Sequence, residues 1–157
     1  MLALSLTLLF AVFSFVSADN ILSIKYFGYE PNSVLETVEF QGGKLIKYIV
    51  RAGEGRFPSQ GAQVTAHYTG KLASDGTKFD SSVDRGDPFS FTVGVGQVIK
   101  GWDLAFESMK SGEKAVIFID SSLGYGARGA GGVIGPGANL LFEVELISFL
   151  GGSSDDL

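Results

Sequence analysis

Only one stretch of this 157-residue chain carries apolar side chains at helical spacing. It is GVGQVIKGWDLAFESMK, residues 94–110, in which Ile99, Trp102, Ala105, Phe106 and Met109 recur every three or four positions. Such a stripe is one face of a short amphipathic helix. Gly112, after Lys110-Ser111, is the expected stop. The other periodic segments alternate with period two. A lone helix can cover only one face of a sheet, so the strands have to wrap around it. The fold class is therefore α+β, an antiparallel twisted β-sheet wrapped around one short amphipathic helix.

The strands fall in KLIKYIVRAGEG (44–55), AQVTAHYTGKLA (62–73), DPFSFTVG (87–94), KAVIFID (114–120) and LLFEVELISFL (140–150), with turns rich in glycine between them. Val64, Ala66 and Tyr68 alternate with Gln63, Thr65 and His67, and Phe142, Val144 and Leu146 alternate with Glu143 and Glu145. Alternation of this kind marks an antiparallel sheet with one wet face. In DPFSFTVG, Phe89, Phe91 and Val93 share a face, and Ser74–Thr77 is a turn. The 19 residues SSLGYGARGAGGVIGPGAN (121–139) are long for a connection, and Leu123, Tyr125, Val133 and Ile134 are apolar. An ordered functional loop is expected there. Gly42-Gly43 reads as a joint between an extension, 19–42, and a domain spanning 43–150.

Most familiar chemistry is excluded by what the chain lacks. It has no cysteine and one histidine, so thiol catalysis and thiolate metal sites are out, and no ligand set for a metal is expected. His67 faces away from Val64, Ala66 and Tyr68 and reads as a strand histidine without a catalytic role. No GxSxG occurs, and the glycines at 124, 126, 129, 131 and 132 precede no helix and carry no GK[ST], so they form no phosphate loop. A net charge of −5 leaves no footprint for nucleic acid. Asp75, Asp80, Asp84 and Asp87 cluster near a turn, where solvated acids are ordinary. What stands out is a set of aromatics beside chain breaks or on the concave face: Tyr68, Phe79, Phe89, Trp102, Tyr125 and Phe142. Core packing accounts for any one of them, and an aromatic pocket accounts for the set.

The chain opens with MLALSLTLLFAVFSFVSA, an uncharged apolar run ending in Val16-Ser17-Ala18. It reads as a signal peptide, residues 1–18, cleaved after Ala18. It is shorter than the roughly 20 residues a membrane-spanning helix needs, so no stable membrane span is expected. Residues 151–157 read as a flexible polar tail. Its last four residues, Ser154-Asp155-Asp156-Leu157, are similar to a KDEL-type retrieval signal with Asp in place of Glu. The expected address is the secretory pathway, with the endoplasmic reticulum lumen favoured and a secreted or periplasmic location as the alternative.

Between residues 43 and 150 the motifs HYTG, FDSS, VIKGW and GYG follow in order, with GVGQVIKGWD and LGYGARGA in full. This region resembles the FKBP-type peptidyl-prolyl cis-trans isomerases, the immunophilins, and most closely their small secretory-pathway members. The resemblance implies an isomerase of X–Pro bonds that assists folding of secretory proteins, with proline-containing polypeptides as clients. It also implies macrolide ligands (tacrolimus, rapamycin) and no cofactor. A non-catalytic binder of proline segments, or an exported isomerase, is the alternative.

The resemblance also implies roles. Trp102 is the floor of the prolyl pocket; Tyr68, Phe79, Phe89 and Phe142 are its walls; Val98 and Ile99 form a rim whose backbone meets the ligand. The Tyr125 hydroxyl hydrogen-bonds a carbonyl. Asp80 is the pocket carboxylate, which accepts hydrogen bonds and pairs with Arg85, and Ile134 is the apolar residue on a flap over the site. Ala130-Gly131-Gly132 departs from the bulkier flap of many members, and the added glycines are expected to loosen it. The extension 19–42 lies outside the resemblance and could be an added strand, a dimer contact or a loose arm.

Overall fold

The computed structural model describes residues 18–152. The proposed signal peptide up to Ser17 and the retrieval-like tail lie outside the described residues. Seven strands form one antiparallel sheet, in the order β1 (Glu36–Phe40), β2 (Leu45–Arg51), β6 (Lys114–Ile119), β7 (Leu140–Leu150), β3 (Gln63–Leu72) and β4 (Lys78–Ser81). The remaining strand, β5 (Phe89–Thr92), also pairs with β3. Helix α3 (Lys100–Glu107) lies in the concavity of this sheet, as its stripe requires. Two further helices are α1 (Ala18–Lys25) and the single turn α2 (Ser82–Arg85).

The α3 stripe packs Trp102, Ala105, Phe106 and the following Met109 against Val64, Ala66, Phe91, Ile117, Ile119 and Val144. Each large side chain buried this way contributes roughly 1.5–3 kcal/mol. Gly101 lets the helix approach β6, because a Cβ there would stand 2.7 Å from Ile119 Cγ2. The helix stops at Glu107, before the glycine stop expected at Gly112. There the Ser108 hydroxyl donates to Ala105 O at 2.6 Å, and the Ser108 carbonyl accepts from the Lys47 ammonium at 2.8 Å. A side chain from β2 thus satisfies a carbonyl that the ended helix leaves without an intrahelical partner.

The expectation of a sheet with one wet face holds for β3 and β7 and fails for β2 and β6. On the convex face a second cluster joins Ile24 of α1 to Ile46, Tyr48 and Val116, with Phe27, Tyr29, Val34 and Phe118 packed against it. The extension thus contributes both a helix and an edge strand; of the three possibilities left open, it is an added strand. Lys71 anchors the end of α1, donating to the Tyr26 carbonyl and lying 4.6 Å from the centroid of the Phe27 ring. Among the described residues no helix is long and apolar enough to cross a membrane.

Candidate active site

At the N-terminal end of α3 the sheet and its loops enclose a cavity of about 440 Å³. It is lined by Tyr68 from β3, Phe79 and Asp80 from β4, Phe89 from β5, Gln97, Val98 and Ile99 from the turn before α3, Trp102, Tyr125 from the loop after β6, and Phe142 from β7. Nine of these ten are residues the sequence singled out.

Alternation explains the placement of the ring set. Tyr68 and Phe142 sit on inward positions of β3 and β7, with Gly70 paired to Phe142. Gly70 has no side chain because none fits: a Cβ would stand 2.6 Å from Phe79 Cζ and 2.8 Å from Phe142 Cε1. The last residue of HYTG thereby lets Phe79 and Phe142 meet edge to face, with centroids 5.6 Å apart. Trp102 is only 5% exposed. Its indole stands edge-on to Tyr68 at 5.0 Å and to Phe142 at 5.2 Å, and Phe106 backs it at 5.3 Å. Among the described residues the buried indole N–H has no partner, so rings rather than a hydrogen bond fix this side chain.

The turn before the helix is tied to the helix itself. Asp103, in the first turn of α3, accepts from Gly94 N at 2.8 Å and Gly96 N at 3.0 Å, while Gln97 Oε1 accepts from Thr92 N at 2.8 Å. Val98 and Ile99 are therefore presented by a turn braced at both ends. Gln97 as a lining residue and Asp103 as a brace both escaped the sequence reading. Asp103 accepts from N–H groups of the preceding turn and not from those of its own helix, so its first-turn position gave no signal for this role.

Asp80 and Arg85 are carried by one compact unit, FDSSVDR. Ser81 caps α2 by accepting from Asp84 N at 3.2 Å. The fully buried Ser82 accepts from Tyr68 N at 2.8 Å and meets His67 Nδ1 at 2.9 Å. This is the contact His67 makes on the far face of β3. With α2 held there, Arg85 donates to Asp80 and, at 3.0 Å, to the Tyr68 hydroxyl, which itself donates to Asp80.

Asp80 is only partly buried. The Asp80 side chain is 42% exposed and that of Arg85 50%, because both stand at the mouth of the cavity. Partial burial pushes the Asp80 carboxyl up, but the Tyr68 hydroxyl, the Arg85 guanidinium and the Ser81 N–H outweigh it and leave the group below the usual carboxylate range. Burial, then the nearby Asp80 charge, pushes the Tyr125 phenol up, so its hydroxyl remains a donor throughout the physiological range.

Ile134 departs from its implied place. It is 6% exposed, belongs to the main core, and does not line the cavity. The glycines before it do not leave an open strap, because Ala130 and Ile134 exchange both backbone hydrogen bonds, at 2.8 and 3.0 Å, and close Gly131-Gly132-Val133 into a tight turn. Val133, at the tip, is the exposed apolar residue.

Residues 54–147 match the family of FKBP-type peptidyl-prolyl cis-trans isomerases. A FK506-binding protein of Neisseria meningitidis serogroup A is 56% identical over 105 residues, 67% of this chain and 95% of that protein. FK506-binding protein 1 of Dictyostelium discoideum is 55% identical over 101 residues, 64% of this chain and 94% of the relative. A peptidyl-prolyl cis-trans isomerase of Schizosaccharomyces pombe is 52% identical over 103 residues, 65% of this chain and 91% of its own length.

Proposed function

The chain belongs to the FKBP-type peptidyl-prolyl cis-trans isomerase family, and we propose that its aromatic cavity is where X–Pro bonds of polypeptide clients are isomerised. What supports this reading above all is the convergence of Tyr68, Phe79, Phe89, Trp102 and Phe142, from five separate elements, on one cavity. An X–Pro bond rotates over a barrier of about 18–20 kcal/mol because twisting it breaks amide resonance. No covalent bond is exchanged, so neither a nucleophile nor an acid–base pair is required. Catalysis needs a surface that binds the twisted amide better than either planar form.

In this reading the prolyl ring rests on the Trp102 indole, between Tyr68, Phe79, Phe89 and Phe142. The Tyr125 hydroxyl donates to a substrate carbonyl, and the backbone at Val98 and Ile99 takes the adjoining peptide. Asp80, held ionised by Arg85 and Tyr68, orders the mouth of the cavity and transfers no proton. Macrolides such as tacrolimus and rapamycin would occupy the same cavity, a reading supported by the relatives that are FK506-binding proteins. The uncharged apolar leader and the SDDL terminus support work on clients in the secretory pathway, with retention in the endoplasmic reticulum.

A proline tetrapeptide assay tests the activity. The full chain should accelerate isomerisation, rapamycin should abolish the acceleration, and Trp102→Leu should lower kcat/KM. An active Trp102→Leu variant at the wild-type rate would place the reaction elsewhere. Localisation with and without residues 154–157 tests the address: loss of those four residues should convert a retained protein into a secreted one.

A further inference from the structure

A second hollow, of about 520 Å³, opens at the opposite, C-terminal end of α3. Its walls are aliphatic and aromatic: Leu35, Val38 and Phe40 on and before β1, Ile49 on β2, and Phe57 from the loop that follows. All but Phe57 precede residue 54, where the family match begins, so most of this cleft belongs to the part of the chain outside the matched segment. Leu35 is 64% exposed and Phe57 52% exposed, which leaves both free to meet a ligand. The floor is rigid. Lys47 and Glu113, 2% and 5% exposed, form an ion pair at 2.9 Å, and Lys47 also holds Ser108 O.

We propose that this cleft is a second polypeptide-binding site, which takes an extended apolar segment carrying a basic residue and needs no proline. Three observations point to that occupant. First, among the described residues β1 is the terminal strand of the sheet order and pairs with β2 alone, which offers its outer edge to an added strand. Second, the side chains of such a strand alternate, and every second one would lie over the apolar wall next to Val38. Third, the net charge left over is negative. Lys47 and Glu113 neutralise each other, and Lys110, which keeps its charge 5.1 Å over the Phe57 ring, is outnumbered by Glu36 and Glu107, so the lining carries one net negative charge. A basic side chain on the incoming segment would meet them. The proposal rests on the isomerase reading only in taking polypeptide as the ligand class. From the other end of α3, the cleft would hold a client while its X–Pro bonds exchange in the catalytic cavity.

The experiment is a fluorescence-anisotropy titration of the full chain with a fluorescein-labelled, proline-free peptide that alternates valine with threonine and carries two lysines. Saturable binding in the micromolar range is expected, unchanged by saturating rapamycin. Leu35→Asp and Phe57→Asp, exposed positions on separate segments, should each weaken it about tenfold or more while leaving the proline tetrapeptide rate intact. Glu36→Lys combined with Glu107→Lys should weaken the lysine peptide and strengthen the same peptide with glutamates in place of lysines. Absence of binding to the wild type, displacement by rapamycin, or indifference to both aspartate variants would overturn the proposal. So would a concentration-dependent dimer in sedimentation that Leu35→Asp abolishes, since the occupant would then be a second copy. An inactive tetrapeptide assay with intact peptide binding would refute the isomerase reading alone.

Discussion

The two ends of helix α3 carry hollows of similar size built on opposite plans. At the N-terminal end, around Trp102, the walls are aromatic and the charges, Asp80 and Arg85, stand at the mouth half exposed. At the C-terminal end the walls are mainly aliphatic and the charges, Lys47 and Glu113, are sealed into the floor. The difference separates two uses of an ion pair. A pair at a solvated mouth adds little to stability and is free to orient a ligand. A pair in a buried floor is structural, and removing one member leaves the other charged without a partner.

The sharpest way to break this contrast is to change one residue at each end. Phe142→Ala should have the largest combined effect. It removes a ring from the cavity wall and should cost about 3–5 kcal/mol of unfolding free energy, with a fall of about tenfold or more in kcat/KM of the folded fraction. Lys47→Ala should cost about 3–5 kcal/mol in a denaturant titration while leaving kcat/KM of the folded fraction unchanged. The paired replacement Lys47→Met with Glu113→Leu should recover most of that loss, because neither charge is then stranded. If Lys47→Ala lowers the rate of folded protein, the two ends are coupled and the contrast fails.

A smaller effect is expected of Gly70→Ala. The added methyl has no room between Phe79 and Phe142, so the rings must part, at about 1–3 kcal/mol. The indole of Trp102, the chain's one tryptophan, reports this directly through its fluorescence. An unshifted spectrum would mean that the rings absorb the methyl without moving the floor.

The smallest stability effect should come from Asp80→Asn. The folded carboxyl lies below its ordinary value, near 3.9 in an unfolded chain. Its stabilisation is therefore complete above that value and is lost as pH falls through the folded pKa. Between pH 6 and 8 nothing at Asp80 titrates, so the isomerase rate should be level there. A limb near neutrality that disappears in Asp80→Asn would make Asp80 an acid or base.

What could be read from the sequence follows the range of the signals. The α3 stripe and the alternation of β3 and β7 are written in neighbouring residues, so the central architecture was legible. Strand β4 and helix α2 are four residues each, too short for any period, and depend on Ser82 reaching across to β3. Helix α1 buries Ile24 against a sheet face that α3 does not touch. Its trace in the sequence lies in its partners, since KLIKYIV and KAVIFI are nearly continuous apolar runs, as strands buried on both faces should be. For the site, the resemblance named residues that converge on one cavity, but it carried no information on exposure. Asp80 came out at the mouth of the cavity, and Ile134 in the core instead of over it.

The most direct test of the aromatic cavity as the reaction site is a pair of titrations on the same protein sample. Rapamycin is added to the full chain while Trp102 fluorescence and tetrapeptide isomerisation are followed together. The expected result is that both change along one binding curve and that Phe142→Ala shifts the two curves equally. A fluorescence change that saturates while isomerisation continues at its initial rate would contradict it.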